Sequence, residues 1–140
     1  MAEHNKSIIR VMVIDDCSTM RKIVRYQVNE MGIDDLVEAA NGQDALAKLG
    51  DPQIRKPHII LCDLHMDQMD GLEFCNAFRK DKTLAATGIP IIILTADGER
   101  MAHEVAVQVG AKAVLTKPFN TKDLQEHMEQ AVGFQVGQMA

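Results

Sequence analysis

Five side chains in this 140-residue sequence combine residue types and positions that point to phosphorus chemistry. Asp15 and Asp16 close one short apolar run, Asp63 closes another, Thr95 bounds a third and Lys117 follows a fourth. Carboxylates brought together repel, and each raises the other's pKa unless a cation intervenes. An all-oxygen set with no Cys, and with His at most peripheral, suits Mg²⁺, which keeps waters and accepts phosphate oxygens as further ligands. Lys117 adds a compact positive charge for a carboxylate or an incoming phosphoryl group. Thr95 adds a hydroxyl, and Ala96 beside it leaves the approach open. Phosphoryl transfer needs mainly positioning and charge neutralisation, and a carboxylate can serve as its nucleophile, giving an aspartyl phosphate. Each position also has a plainer reading. Asp16 and Ser18 could cap a helix, Asp63, Asp67 and Asp70 could be turn formers, Thr95 a turn residue and Lys117 a solvated lysine. What separates the two readings is whether all five residues reach one place.

The surrounding pattern says that they do. Short β-branched runs, Ile9–Ile14, Leu36–Ala39, His58–Cys62, Ile91–Leu94 and Ala113–Leu115, alternate with segments of helical period. Met20, Ile23, Val24, Val28 and Met31 share one helix face, with Ser18 or Thr19 as the expected cap and Gly32 as the stop. Further helices are expected from Asn41-Gly42 through Leu49, from Gly71 through Phe78, over 99–109, and over 122–132 before Gly133. Five strands alternating with five helices specify an α/β fold, a doubly wound parallel sheet covered on both faces. Ligands of such sheets sit beyond the carboxyl ends of the strands, where the winding reverses.

Composition narrows the function. A formal charge of -5 argues against a protein built to grip nucleic-acid phosphates. Cys17, Cys62 and Cys75 are odd in number and lack metal-ligand spacing, so reduced thiols and a cytoplasmic location are expected. Neither a signal-peptide core nor a transmembrane stretch is visible, so no membrane insertion is expected.

The sequence resembles the receiver domain of two-component response regulators, most narrowly the free-standing chemotaxis regulators. The resemblance rests on Val11–Arg21, Glu38–Leu46, Leu61–Leu64, Met69–Gly71, Leu94–Ala96 and Lys117–Phe119, and covers about residues 8–132. It implies the flavodoxin-like strand order 2-1-3-4-5 and a single domain over 1–140, with a flexible tail over 133–140. It implies that Asp63 is the phosphoacceptor, and that Asp15, Asp16, Asp63 and the His65 backbone carbonyl hold Mg²⁺. Thr95 would be the switch hydroxyl, Lys117 would pair with the phosphoryl group, and the Lys117–Pro118 peptide would commonly be cis. The implied partners are a histidine kinase as phosphodonor and a downstream protein, the flagellar motor switch being the leading candidate, with the chain itself a monomer and not an enzyme. A phosphate sink or relay intermediate is the nearest alternative. An aspartyl-phosphate-type phosphatase is remote, because its usual second Asp is replaced by His65. A pseudo-receiver is disfavoured by the full residue set.

Departures from the family pattern bear on output. His65 stands where Asn is frequent, Asp97 follows the switch threonine by two residues, and Asp67 replaces a common loop proline, so a more mobile loop is expected. Val114 replaces the aromatic ring that many receivers turn inward on phosphorylation. The resemblance places output contacts on the helix at 99–109, the last strand and the last helix, including His103, Val114, Thr116 and Lys122.

Overall fold

A computed structural model describes residues 8–96 and 100–136. The chain runs β1 (Arg10–Ile14), α1 (Ser18–Glu30), β2 (Asp35–Ala39), α2 (Gly42–Leu49), β3 (Ile59–Asp63), α3 (Gly71–Lys80), α4 (Lys82–Thr87), β4 (Ile91–Thr95), α5 (Arg100–Gln108), β5 (Ala113–Thr116) and α6 (Thr121–Val132). The five strands pair in parallel in the order β2-β1-β3-β4-β5, so the winding reverses between β1 and β3. Asp97 lies outside the described residues.

Alternation along the strands builds two cores. Met12, Ile14, Ile60, Cys62, Ile91 and Ile93 pack with Leu49, Phe74, Phe78 and Ala106 on one face of the sheet. Val11, Val13, Ile59, Leu61, Ile92 and Leu94 pack with Val24, Val28, Leu124 and Met128 on the other. Successive side chains of a strand point to opposite faces, so a strand covered twice must be apolar throughout. Ile92 and Ile93 are both fully buried for that reason.

Two expectations need correction. The described residues form six helices, because Lys82–Thr87 makes a short helix between α3 and β4. Asp81 makes it by accepting from the Thr83 and Leu84 N–H groups, and Gly88 ends it in the left-handed region at φ 69. Second, neither Ser18 nor Thr19 caps α1: the N-cap is Cys17, with no side-chain capping bond. The Cys17 N–H instead donates to Asp15 Oδ1 at 2.9 Å, so the site carboxylate takes part in opening the helix. After α6, Val136 is buried in the second core, and its N–H donates to Glu129 Oε2; residues 137–140 lie outside the described residues. No helix among the described residues is long and apolar enough to cross a membrane.

Candidate functional site

The parallel register carries the strand-end residues to one rim. Ile14 pairs with Cys62, Asp63 with Leu94 and Thr95 with Thr116, so β1, β3, β4 and β5 finish side by side. Asp15 follows β1; its N–H donates to the Ala39 carbonyl at 3.1 Å and its own carbonyl accepts from Arg21 Nη1 at 2.6 Å. Asp63 is the last residue of β3, and the Lys117 N–H donates to the Thr95 carbonyl at 2.7 Å just past β5. The Lys117–Pro118 peptide is cis.

Side chains converge there. Asp15, Asp16 and Asp63 each offer a carboxylate oxygen, all within 4.8 Å of one another. Asp15 and Asp63 are buried, whereas Asp16 is exposed. Lys117 Nζ donates to Asp63 Oδ1 at 2.6 Å, which disposes of the reading of Lys117 as a solvated lysine. Thr95 is buried one residue beyond the Asp63–Leu94 pair. His65 is exposed and lines a shallow pocket with Asp16, Asp67 and Asp70.

This crowding has an electrostatic cost. Burial pushes the Asp15 carboxyl above the usual carboxylate range; the Cys17 N–H works against that, and the charge on Asp63 adds to it. Cys62, directly before Asp63, is fully buried and its thiol is held well above the ordinary value by desolvation. Burial likewise pushes the Cys75 thiol up to about 12. Neither thiol belongs to the chemistry of the rim.

Neighbouring residues expected to be loop formers have structural work. Asp70 caps α3: its carboxylate accepts from the Glu73 N–H, while Glu73 accepts from the Asp70 N–H. The signal was legible as Asp-x-x-Glu ahead of an apolar stripe. Gly71 then lets α3 press against the end of β3, since a Cβ there would lie 2.6 Å from the Asp63 carbonyl oxygen. Asp67, in place of a proline, uses an N–H that proline lacks, donating to Asp16 Oδ2 at 3.2 Å. That bond ties the loop to the cluster. Glu38 on β2 accepts from Arg21 Nε at 2.9 Å and also from Arg25, and these bonds, Arg25's first, hold its carboxyl below the usual range. Arg21 thus joins the Asp15 backbone to β2, a link that no spacing in the sequence announces. On the β5 side, Thr116 Oγ1 lies 3.3 Å from His103 Nε2 of α5, and Val114 packs half-buried against the first core.

Comparison with known proteins fits this geometry. Residues 11–129 match the family model described as the response regulator receiver domain. Chemotaxis protein CheY1 of Helicobacter pylori is 31% identical over 125 residues, covering 89% of this chain and 98% of that protein. The CheY homolog of Campylobacter jejuni is 31% identical over 132 residues, covering 94% of this chain and 98% of its own. Among solved structures, Vibrio cholerae chemotaxis protein CheY4 superposes with a TM-score of 0.76 at 29% identity, over 89% of this chain and 99% of that one.

Proposed function

The chain belongs to the response regulator receiver domain family, of the CheY type, and from that premise we propose that it accepts a phosphoryl group on Asp63 and signals by a phosphorylation-dependent protein contact. The observation that carries this reading is Lys117 Nζ at 2.6 Å from Asp63 Oδ1, beside Asp15 and Asp16. A carboxylate oxygen of Asp63 attacks the phosphorus of a phosphohistidine on a histidine kinase. The P–N bond breaks as the P–O bond forms, and the departing imidazole nitrogen takes up a proton. Lys117, already on the carboxylate, takes up charge on the transferred oxygens, and Thr95 supplies a hydroxyl to them.

The donor set fits Mg²⁺: three carboxylate oxygens within 4.8 Å, with no thiolate or imidazole among them. Asp15, Asp16, Asp63 and the backbone carbonyl of His65 would hold it. Bound there, it would neutralise charge that the carboxylates and the phosphoryl group share. The protein promotes only its own phosphorylation and dephosphorylation, in the cytoplasm, as a monomer.

Output runs from Thr95 to its register partner Thr116 and on to His103 of α5, which takes the place of the ring absent at Val114. The contact surface then comprises α5, β5 and the start of α6, with His103, Val114, Thr116 and Lys122, and its partner is the flagellar motor switch. Val114 also favours a second reading, a phosphate sink or relay intermediate with no motor target. Intact mass after incubation with a small-molecule phosphodonor and Mg²⁺ tests the chemistry. One phosphoryl adduct on the wild type and none on Asp63→Asn supports the reading, and an unchanged wild-type mass refutes it. A pull-down with phosphorylated and unphosphorylated protein then separates motor binding from the sink.

A further inference from the structure

The opposite rim of the sheet, where β4 and β5 begin, holds a cavity of about 440 Å³. Two cations, Arg79 and Lys112, line it together with the apolar side chains of Phe78, Ile89, Pro90 and Ala131. None of its lining residues is acidic, in a protein whose formal charge is -5. We propose that this cavity binds a small organic anion, a carboxylate or phosphate head paired with Arg79 and Lys112 and a flat apolar body laid against Phe78, Ile89 and Pro90.

Arg79 is fixed before any ligand arrives. Its stem crosses Gly110, where a Cβ would fall 2.0 Å from Arg79 Cδ, and Gly110 stands at φ 107, a conformation that suits glycine. Arg79 Nη1 donates to the Gln108 carbonyl at 2.8 Å, which holds the guanidinium plane. A guanidinium carries five N–H donors, so one bond to Gln108 leaves a fork for a carboxylate or phosphate. The Lys112 N–H donates to the Ile91 carbonyl at 2.8 Å, which fixes the backbone that carries the second, exposed cation just before β5. Among the described residues, neither cation is paired with a carboxylate. The nearest acid in sequence, Asp81, already accepts from Thr83 and Leu84. A cap on α5 accounts for Arg79 alone; it does not account for Lys112 or for the apolar wall. The volume falls in the range of small-molecule sites, roughly 300–1,000 Å³, and exceeds what a bare inorganic anion fills.

The test is a ¹H–¹⁵N correlation titration of the full chain with 2-naphthoate, 2-naphthyl phosphate and the neutral 2-naphthamide. Saturable shifts at the Gly88, Gly110 and Lys112 amides are expected from at least one anion, and whichever anion binds tighter identifies the head group. The amide should bind about tenfold more weakly, since it forfeits the charge-assisted bonds. Lys112→Gln, which breaks no side-chain bond among the described residues, should weaken the anion by a similar factor, and Arg79→Lys should weaken it less than Arg79→Gln. The proposal is overturned if neither anion saturates below millimolar concentration or if the amide binds as well. It is equally overturned if the shifts centre on Ala96 and Lys117 at the phosphoacceptor rim.

Discussion

Replacing Asp15 by Asn should stabilise the protein when no divalent cation is present. Two unit charges 4.8 Å apart, the outer limit for the cluster, repel by about 0.9 kcal/mol in water and about 3.5 kcal/mol at an effective dielectric near 20. Lys117 offsets part of this, and Asn keeps the oxygen that accepts the Cys17 N–H bond at 2.9 Å. Relief of about 1–2 kcal/mol is left, which for a chain of this length raises Tm by about 3–7 °C. The pH dependence follows from the direction of the Asp15 shift. Its folded pKa is raised, chiefly by burial, so the native state holds the proton more tightly than the unfolded chain. The cost of the charge is therefore absent below the ordinary carboxylate pKa and develops as pH rises through the folded value. Urea melts of wild type and Asp15→Asn in EDTA should nearly coincide at the acid end and separate at pH 7.5, with the variant more stable. Mg²⁺ at a hundredfold excess over Kd should stabilise the wild type by about 2.7 kcal/mol, enough to reverse the order. A variant that melts at or below the wild type in EDTA at pH 7.5 would refute the crowding argument.

Gly71→Ala should cost about 1–3 kcal/mol in urea melts and slow phosphorylation, because its Cβ meets the Asp63 backbone. Gly42→Ala brings its Cβ within 2.7–3.1 Å of Met69 Sδ, Cγ and Cβ but of no backbone atom, and should cost less than Gly71→Ala in the same melts. Asp67→Pro removes the N–H bond to Asp16, so calorimetric Mg²⁺ affinity should fall severalfold while Asp67→Ala leaves it near wild type; equal losses would show that the N–H does not matter. In native protein, iodoacetamide should label exposed Cys17 and spare Cys62 and Cys75 until denaturant is added, as read by peptide mass. Glu38, whose carboxyl is lowered by Arg25 and Arg21, stabilises the fold above the ordinary Glu pKa, and that contribution is lost as pH falls through the folded value. Glu38→Gln should cost about 0.5–1 kcal/mol at pH 7 and approach zero in acid.

The strands were readable because double coverage writes itself as unbroken apolar runs, Ile91–Leu94 most plainly, whereas their order followed only from the resemblance to receiver domains. The rim cluster followed from topology: once five runs are parallel, Asp15, Asp63, Thr95 and Lys117 have nowhere else to end. What escaped the sequence was set either by a single local cap or by contacts that no periodicity announces. The α4 helix hangs on one aspartate that both stops α3 and starts the next turn, and a six-residue helix leaves no periodicity to detect. Arg21 reaching both Asp15 and Glu38, and Asp67 reaching Asp16 fifty-one residues away, are links that no spacing announces. Val136 is anchored by a core position that composition alone reads as part of a tail.

Reductive trapping bears most directly on the phosphoacceptor. Borohydride converts an aspartyl phosphate to homoserine, which tandem mass spectrometry of the digested protein locates by residue. Protein treated with phosphodonor and Mg²⁺ should carry homoserine at position 63 and nowhere else, and none when EDTA replaces Mg²⁺. Homoserine at another aspartate, or none at any position in phosphodonor-treated protein, would contradict the account.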